Sequence, residues 1–592
     1  MTESKEIIIL SIGPVQSYIS TARRTQDLRT ASQILSRLSF NACKKASELE
    51  CEIVYPQVKS PDDGAPNRMV LIAPYGKGGD IAKSIVEKIE ELREKISKDV
   101  RSYLDGKISN SSYEKELWDS QVKNWLEIYW VCVPWDGTEA NYPAQFQKAS
   151  LGLDGRKGLR HFPHVEESNI ICTLCGTRSA LGGKEFWDNC KLPNRLIRSQ
   201  EKLCAVCTIK RLLPIIPESP ISKIAFPSTA SIASASYQNS IMEHWDKVEY
   251  LITPLVEKMK NLGLDVPDSP INKEKFGRIE GAYLYKDSYQ KETIRKETGN
   301  EPDSKDLKEI KELLQRINME LISIKATCTF ANPYYAVLHI DGDHMGKLLD
   351  SVKKKEDHKA ISQKLSILAQ KMQDIVKKNL GQVVYSGGDD LLALLPVDTA
   401  LHTADAVQKE FCQTLSDAGF KGNHMSGGLA ITHHNTPLQS AIESAREAEK
   451  QAKNECDRNS IVLHLAKRSG EIRQVALKWN SPGGFPVPIN DIQMLIQAIS
   501  NNDLSGKLAY ELWDESHALA DAPDNPSVSW FKLELYRLMK RHSAKDWKTE
   551  AELRDMVQQI CNLWDFIPDT GLSKVDQIVS WLLVARFLAQ GE

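Results

Sequence analysis

The sequence predicts an α/β (α+β) protein with two copies of a ferredoxin-like βαββαβ unit, a cysteine-bearing helical insert between them and a helical domain at the end. Three observations carry this expectation. Apolar, β-branched runs alternate with helix-period stretches twice along the chain, two C-x-x-C pairs lie between the alternating blocks, and from Asn490 onward only helical periodicity remains. The expected divisions are residues 1–160, 161–330, 331–475 and 476–592.

Composition narrows the class. A chain of 592 residues exceeds what one hydrophobic core supports, and 41% hydrophobic with 26% charged residues is ordinary for a globular protein. No apolar run approaches the roughly 20 residues that cross a bilayer. The opening Met1-Thr-Glu-Ser-Lys-Glu6 does not read as a secretory signal, so a cytoplasmic location without membrane partners is expected. Twelve cysteines are too sparse for a disulfide scaffold. A net charge of −3 neither advertises nor excludes nucleic acid, so any RNA contact must come from local basic patches or a partner.

In the first block a strand is expected over Glu6–Ile12, stopping at Gly13-Pro14, and one long helix through Leu49 bearing Arg23, Arg24, Arg29 and Arg37. Those arginines are a solvated face or a phosphate-facing patch. Strands at Ile53–Tyr55 and Met69–Ala73, a helix over Ile81–Leu104 and a strand over Leu126–Val133 complete a βαββαβ order.

Cys172-Thr-Leu-Cys175 and Cys204-Ala-Val-Cys207 enclose 28 residues. Two such knuckles supply four thiolates for tetrahedral Zn²⁺, a closed and therefore structural site. Cys190 lies within the loop as a possible competing ligand. Between Lys184 and Arg211 seven basic residues face three acidic ones, which is either a nucleic-acid contact or a solvated surface. The charged segment Ile232–Leu321 reads as a helical connector with solvated faces.

The second block opens on Tyr334–Ile340, an apolar strand running into Asp341-Gly-Asp-His-Met-Gly346. A helix over Ala360–Lys378 precedes Gln382–Pro396, where two apolar runs flank Ser386, Gly387, Gly388, Asp389 and Asp390. Glycine supplies the left-handed backbone of a tight turn, so this is a β-hairpin with two carboxylates at its tip. A helix over Asp398–Ala418, a strand over Met425–Thr432, a helix over Leu438–Lys453 and a strand over Ile461–Leu465 follow.

In a βαββαβ sheet the first strand and the hairpin are neighbours, so Asp341 lies beside Asp389 and Asp390. Three carboxylates offer hard oxygen ligands for two Mg²⁺ or Mn²⁺ ions, the arrangement of nucleotidyl transfer. Asp341 and Asp389 would bridge metals and Asp390 would ligate or orient the nucleotide. The backbone of Gly342, Asp343, His344, Met345 and Gly346 would cradle a triphosphate. Lys453 is either a partner for the terminal phosphates or an exposed lysine. The first block has Ile12-Gly13-Pro14 in place of Asp341-Gly-Asp343 and no acidic tip. It is therefore expected to bind no catalytic metal, while its turn at Gly13 and Ser17 would receive a second nucleotide. His433 and His434 are expected to be structural or to touch a base or phosphate. In the last domain Trp530, Phe531 and Tyr536 read as core, and Arg537, Lys540 and Arg541 as a solvated helix end or a phosphate contact.

Taken together, Ser11-Ile-Gly-Pro-Val-Gln-Ser17, Cys172 to Gly176, Cys204 to Cys207, Phe226-Pro-Ser-Thr229, Ile340 to Gly346, Ser386 to Asp390 and Ser426-Gly-Gly-Leu-Ala-Ile-Thr-His-His434 form an ordered series. The series resembles the Cmr-type large subunit of type III CRISPR effector complexes, the CRISPR polymerase family. The resemblance implies two cyclase-like or polymerase-like palm domains, a zinc-containing insert, and partnership with other effector subunits, guide RNA and target RNA. It also implies that target RNA binding triggers polymerisation of ATP into cyclic oligoadenylates. Many members carry an N-terminal HD nuclease; this sequence opens on the first strand and has no His-Asp dipeptide, so DNase activity is not expected. A scaffold subunit with little turnover and a free-standing nucleotide cyclase are the competing readings. The intact acid set argues against the first, the zinc insert and helical domain against the second.

Overall fold

The computed structural model describes residues 4–590 except 109–114, 160–166, 168–169, 193–195, 199, 218, 220, 222–225, 269, 421, 481–488, 502, 506, 519–527, 543–549 and 571–572. It is the mixed α/β protein that the alternation predicts. The first sheet holds β1 (Lys5–Gly13), β2 (Glu52–Tyr55), β3 (Arg68–Pro74) and β4 (Glu127–Trp135) in the order β2-β3-β1-β4. The second holds β5 (Tyr334–Gly342), β6 (Gln382–Ser386), β7 (Asp390–Pro396), β8 (Met425–His433), β9 (Ser460–Ala466) and β10 (Ile472–Lys478) in the order β10-β9-β8-β5-β7-β6. Four of these, β6-β7-β5-β8, repeat the antiparallel order of the first sheet. Strand β9 extends the sheet parallel to β8 and β10 closes it antiparallel to β9.

Alternation along each strand decides what covers each face. In β1, Ile8, Leu10 and Ile12 meet helices α2 (Thr25–Glu48) and α3 (Gly78–Asp105), whereas Ile7 and Ile9 meet Phe146, Ala149 and Leu153 of α4 (Tyr142–Gly158). In β5, Tyr334, Ala336, Leu338 and Ile340 share a core with α7 (Lys355–Lys378) and α8 (Val397–Asp417). Its opposite face, with Tyr335 and Val337, buries Leu438, Ala441, Ile442 and Ala445 of α9 (Leu438–Asn454). That face lies in the same core as α2 and α3, so the two halves share one hydrophobic interior. Gly428 on β8 lets α9 lie close: a Cβ there would overlap the Ala445 carbonyl oxygen and come within 2.9 Å of Ala448 Cβ.

Several elements differ from the sequence expectation. The long first helix is two: α1 (Gln16–Ser20) and α2, separated where the Asp27 carboxylate turns back to accept the Arg23 and Arg24 amides at 3.3 and 3.2 Å. Helix α4 and strand β10 are additional; three glycines dilute the helix signal of α4, and charged residues interrupt β10. The segment read as a connector carries its own core, in which Leu251, Ile252 and Leu255 pack on Ile310, Leu314 and Ile317. The C-terminal helices add Leu495, Leu512, Phe531 and Leu535 to the core of the second sheet, with Trp530 and Tyr536 packed beside them.

The cysteine segment is fastened to the first half. Lys210, on α5 (Ala205–Leu212), donates to the carbonyls of Tyr18 (3.0 Å) and Thr21 (2.5 Å). Next to it Arg211 forms ion pairs with Asp27 (2.8 Å) and Glu201 (3.0 Å), all three side chains at most 2% exposed. Against the burial that opposes it, Arg211 holds the Asp27 and Glu201 carboxyls below their ordinary values. Their contribution to stability is present above the unfolded carboxylate pKa of about 4 and is lost as pH falls through the folded values. Arg211→Ala removes the buried cation shared by both carboxylates, leaving Asp27 with backbone amides and Glu201 with Arg23 and Arg24 at 3.7 Å, and is expected to cost about 3–5 kcal/mol. The measurement is the urea midpoint of unfolding at neutral pH, where an unchanged midpoint would refute the assignment.

Candidate active site

Strand pairing builds the site. In the β5/β7 ladder Asp341 lies directly opposite Asp390, and in the β5/β8 ladder it lies opposite Ser426. The hairpin closes when the Gly387 amide donates to the Asp390 carbonyl (2.9 Å), with Gly388 at φ +105°. The Gly342 amide donates to the Asp389 carbonyl at 2.7 Å, which sews the hairpin tip to the end of β5. Asp389 and Asp390 are both partly exposed there.

Lys453 sits near the end of α9. Its ammonium pairs with the Asp341 carboxylate and, at 2.6 Å, with Glu449 one helical turn earlier. Against burial, Asp341 and Glu449 hold the Lys453 ammonium above its ordinary value. Glu449 also lies 3.9 Å from His339, two residues before Asp341 and on the same face of β5. Burial pushes His339 down to about 3, keeping the ring neutral, and its Nε2 shares a hydrogen bond with the Tyr385 hydroxyl at 3.1 Å. Sequence reading missed Glu449, His339 and Tyr385. For Glu449 and His339 the signal was present as i,i+4 and i,i+2 spacing from Lys453 and Asp341, while Tyr385 is placed only by the pairing of β6.

The Asp341-to-Gly346 turn divides its labour. Asp343 is buried; its carboxylate accepts the Ser426 hydroxyl at 2.8 Å and the Asn459 amide at 3.0 Å, and its own amide donates to the His424 carbonyl. Gly342 and Met345 face the core, while His344, in a left-handed conformation (φ +58°), and Gly346 are exposed. The Gly342 and Asp343 amides are therefore spent, whereas the first-turn amides of α6 (Met345–Asp350) retain their donor capacity. Ser386 points inward and donates to the Ala369 carbonyl at 3.2 Å. His433 and His434 lie at the opposite end of β8, stacked on each other at a ring distance of 4.6 Å, with His434 also stacked on Tyr285 at 4.7 Å.

The turn motif sets Ile12 against Asp341, but Ile12 faces α2 and α3; on the opposite face of β1 it is Ser11 that pairs with Arg68 as Asp341 pairs with Asp390, and the charge there is positive. Arg68 donates to Ser150 on α4 (2.8 Å), and burial followed by the Arg68 charge lowers the Lys157 amine. Lys157 is the penultimate residue of the 17-residue helix α4, as Lys453 is of the 17-residue helix α9. Gly13 ends β1, and Ser17 is exposed on α1 next to Gln16, whose carbonyl accepts Arg446 of α9 at 3.2 Å.

Among the described residues one group of side chains is gathered as a metal site would require. The Sγ atoms of Cys172, Cys175, Cys204 and Cys207 all lie within 4.8 Å of one another, and Cys175 and Cys204 are 3.8 Å apart. A Zn–S bond of about 2.3 Å gives a tetrahedron edge of roughly 3.8 Å, so the set fits zinc. Cys190 stands apart from the four. Among the described residues these cysteines are the one set of three or more candidate ligands gathered so closely. Asp341, Asp389 and Asp390 are neighbours along the strand pairing but their carboxylates are not gathered so closely, and Asp341 is paired with Lys453.

Crowding leaves a signature. Burial and then Asp341 raise Asp389 to about 6, and burial and then Asp389 push Asp390 well up. A carboxyl raised on folding contributes stability that is full below its ordinary value of about 3.8 and is lost as pH rises through about 6. Asp389→Asn removes that loss. Without divalent ions its melting temperature is expected to exceed that of the parent by a few degrees above pH 7, with the gap closing near pH 4. Equal melting at both values counts against the crowding.

Comparison with known proteins follows the same lines. Residues 334–462 match the family described as Cas10/Cmr2, second palm domain, and residues 7–102 match the family described as CRISPR-associated protein Cmr2, N-terminal. The chain is 24% identical over 692 aligned positions to the CRISPR system Cmr subunit Cmr2 of Pyrococcus furiosus, covering 99% of this chain and 74% of that one. In fold it is similar to a chain of type III-B Cmr-beta in the apo state, with a TM-score of 0.69, 14% identity and coverage of 98% of this chain and 81% of the other. The form of Cmr-beta bound to cognate target RNA gives a TM-score of 0.68, 15% identity and coverage of 99% and 83%. The ordered motifs, the two family regions and the similarity along 99% of the chain agree: the chain is similar to the Cmr-type Cas10 proteins.

Proposed function

We propose that this chain is the large subunit of a type III-B CRISPR RNA-guided effector complex and that target RNA binding switches it to polymerise ATP into cyclic oligoadenylates. The observation that carries the reading is the pairing of Asp341 with Asp390 across β5 and β7, with Asp389 at the hairpin tip. Partnership rests on the similarity to a Cmr subunit and to a Cmr-beta chain bound to cognate target RNA.

The reaction joins a 3′-hydroxyl oxygen to an α-phosphorus, breaks the bond to the β-phosphate oxygen and releases pyrophosphate and a proton. Mg²⁺ or Mn²⁺ held by Asp341, Asp389 and Asp390 would supply charge neutralisation at the phosphoryl oxygens. The chain's own groups orient the partners. The exposed turn at His344 and Gly346 and the first amides of α6 lie beside the acids for phosphate. Lys453, steered by Glu449, leaves Asp341 for the terminal phosphates when the nucleotide enters. The neutral His339–Tyr385 pair keeps the floor of the site free of a further charge. Lys210 and Arg211 hold α5 against the first half, and Cys172, Cys175, Cys204 and Cys207 would hold zinc there in a structural role.

The first half then receives the second nucleotide without a metal. Where the second half has Asp341 and Asp390 it has Ser11 and Arg68, with Lys157 close by. Cationic side chains there would neutralise phosphate charge as a metal ion would in the other half, beside the turn at Gly13 and Ser17. That asymmetry yields one donor site and one acceptor site.

The direct test incubates the complex with ATP, Mg²⁺ and target RNA. Wild type is expected to make cyclic oligoadenylates and Asp389→Ala/Asp390→Ala to make none; identical products from the two would overturn the proposal. For the acceptor site, Arg68→Ala/Lys157→Ala is expected to bind one ATP analogue per chain in place of two by calorimetry. Arg68→Ala alone should weaken the second site on the order of ten-fold, the worth of a charge-assisted hydrogen bond. Two sites of undiminished affinity in the double variant would remove the cationic acceptor site.

A further inference from the structure

Gly64 follows the short turn Pro61–Asp63 and has a left-handed backbone, φ +79°. A Cβ at this position would overlap the carbonyl oxygen of Ser386 and lie 3.2 Å from its carbonyl carbon. The backbone of the first half thus rests directly on the residue that precedes Gly387, Gly388, Asp389 and Asp390. Only glycine provides both the backbone angle and the room.

This loop is itself held from two sides. The Ser36 hydroxyl of α2 donates to the Pro61 carbonyl at 2.5 Å and accepts the Ala65 amide at 2.8 Å. Asn67 exchanges two hydrogen bonds of 2.9 Å with Ile12, the residue before Gly13. Alongside, Arg29 of α2 donates to the Val384 carbonyl of β6 at 3.3 Å, and the Gln57 amide donates to Ser362 of α7 at 3.1 Å. On the far side Ser386 is pinned to Ala369. The entry to the hairpin is clamped between α7 and a loop that belongs to the other half of the chain.

We propose that Pro61–Asn67 is a positioning clamp that holds the Ser386–Asp390 hairpin, and so Asp389 and Asp390, in place, with Gly64 as its point of contact. Its functional meaning rests on the reading of that hairpin as the catalytic edge. Through Asn67 the clamp also ties the hairpin to the end of β1, so the Gly13 turn and the acidic tip share one rigid connection.

The test is hydrogen exchange on the full-length chain, which needs no activity. In Gly64→Ala the amides of Gly387 and Gly342, which close the hairpin and join it to β5, are expected to exchange on the order of ten-fold faster, matching the strain of one left-handed non-glycine residue. Amides in β9 and in the helical core around Leu251 should stay at the wild-type rate. Ser36→Ala, which loosens the loop without intruding on Ser386, should quicken the same two amides to a smaller extent and decides the matter if Gly64→Ala fails to fold. Hairpin exchange at the wild-type rate in folded variants, or acceleration spread evenly over the chain, overturns the clamp. In the ATP assay Gly64→Ala should lower kcat and raise the Mg²⁺ concentration for half-maximal turnover while leaving KM for ATP close to wild type. An inactive wild type would refute the synthase reading alone, since the exchange result still decides the clamp.

Discussion

Two carboxylates placed opposite each other in an antiparallel ladder are the constraint around which the second half is built. Like charges directly across a strand pair repel, and Asp341 and Asp390 stand so in β5 and β7. The fold accommodates them with a cation brought from outside the βαββαβ unit, Lys453 on α9. Placing that cation requires α9 to cross the sheet closely, and Gly428 permits the approach. Glu449 then shares the ammonium with Asp341 and lies beside the neutral His339. Each of these residues is intelligible only from the repulsion at the centre.

The first half shows the same frame with the constraint inverted. Its register sets Ser11 against Arg68, so no anion needs neutralising, and Arg68 turns to Ser150 on the equivalent helix. Both halves keep a lysine one residue from the end of a 17-residue covering helix. What distinguishes the halves is the charge carried at two paired positions.

Much of this was legible in the chain itself. The apolar run before Asp341 and the glycine pair before Asp389 announce a strand and a hairpin locally, and four cysteines in two knuckles announce their mutual proximity. Other features depend on register or on burial, which local pattern does not carry. Arg68 becomes the counterpart of Asp390 only once both strand pairings are known. Asp343 and Ser386 look like ligands because they sit among glycines and acids, yet their side chains turn inward to Ser426 and Ala369. The break between α1 and α2 follows from a buried aspartate that must be paired with Arg211, a residue 184 positions away. Strand β10 carries charges at its exposed edge and so lacks the apolar run by which β5 and β7 are recognised.

The shared interior has a consequence for synthesis. Its buried side chains run from Ile8 near the start to Ala445 on α9. When β4 has left the ribosome, the helices of the first half still lack the surface that will cover them. At about 5–20 residues per second, roughly 15–60 s pass before α9 arrives. During that interval the cysteine segment can pack on the first half, but the part of the core that β5 and α9 complete stays uncovered. Only when the second half is made do both halves become stable together.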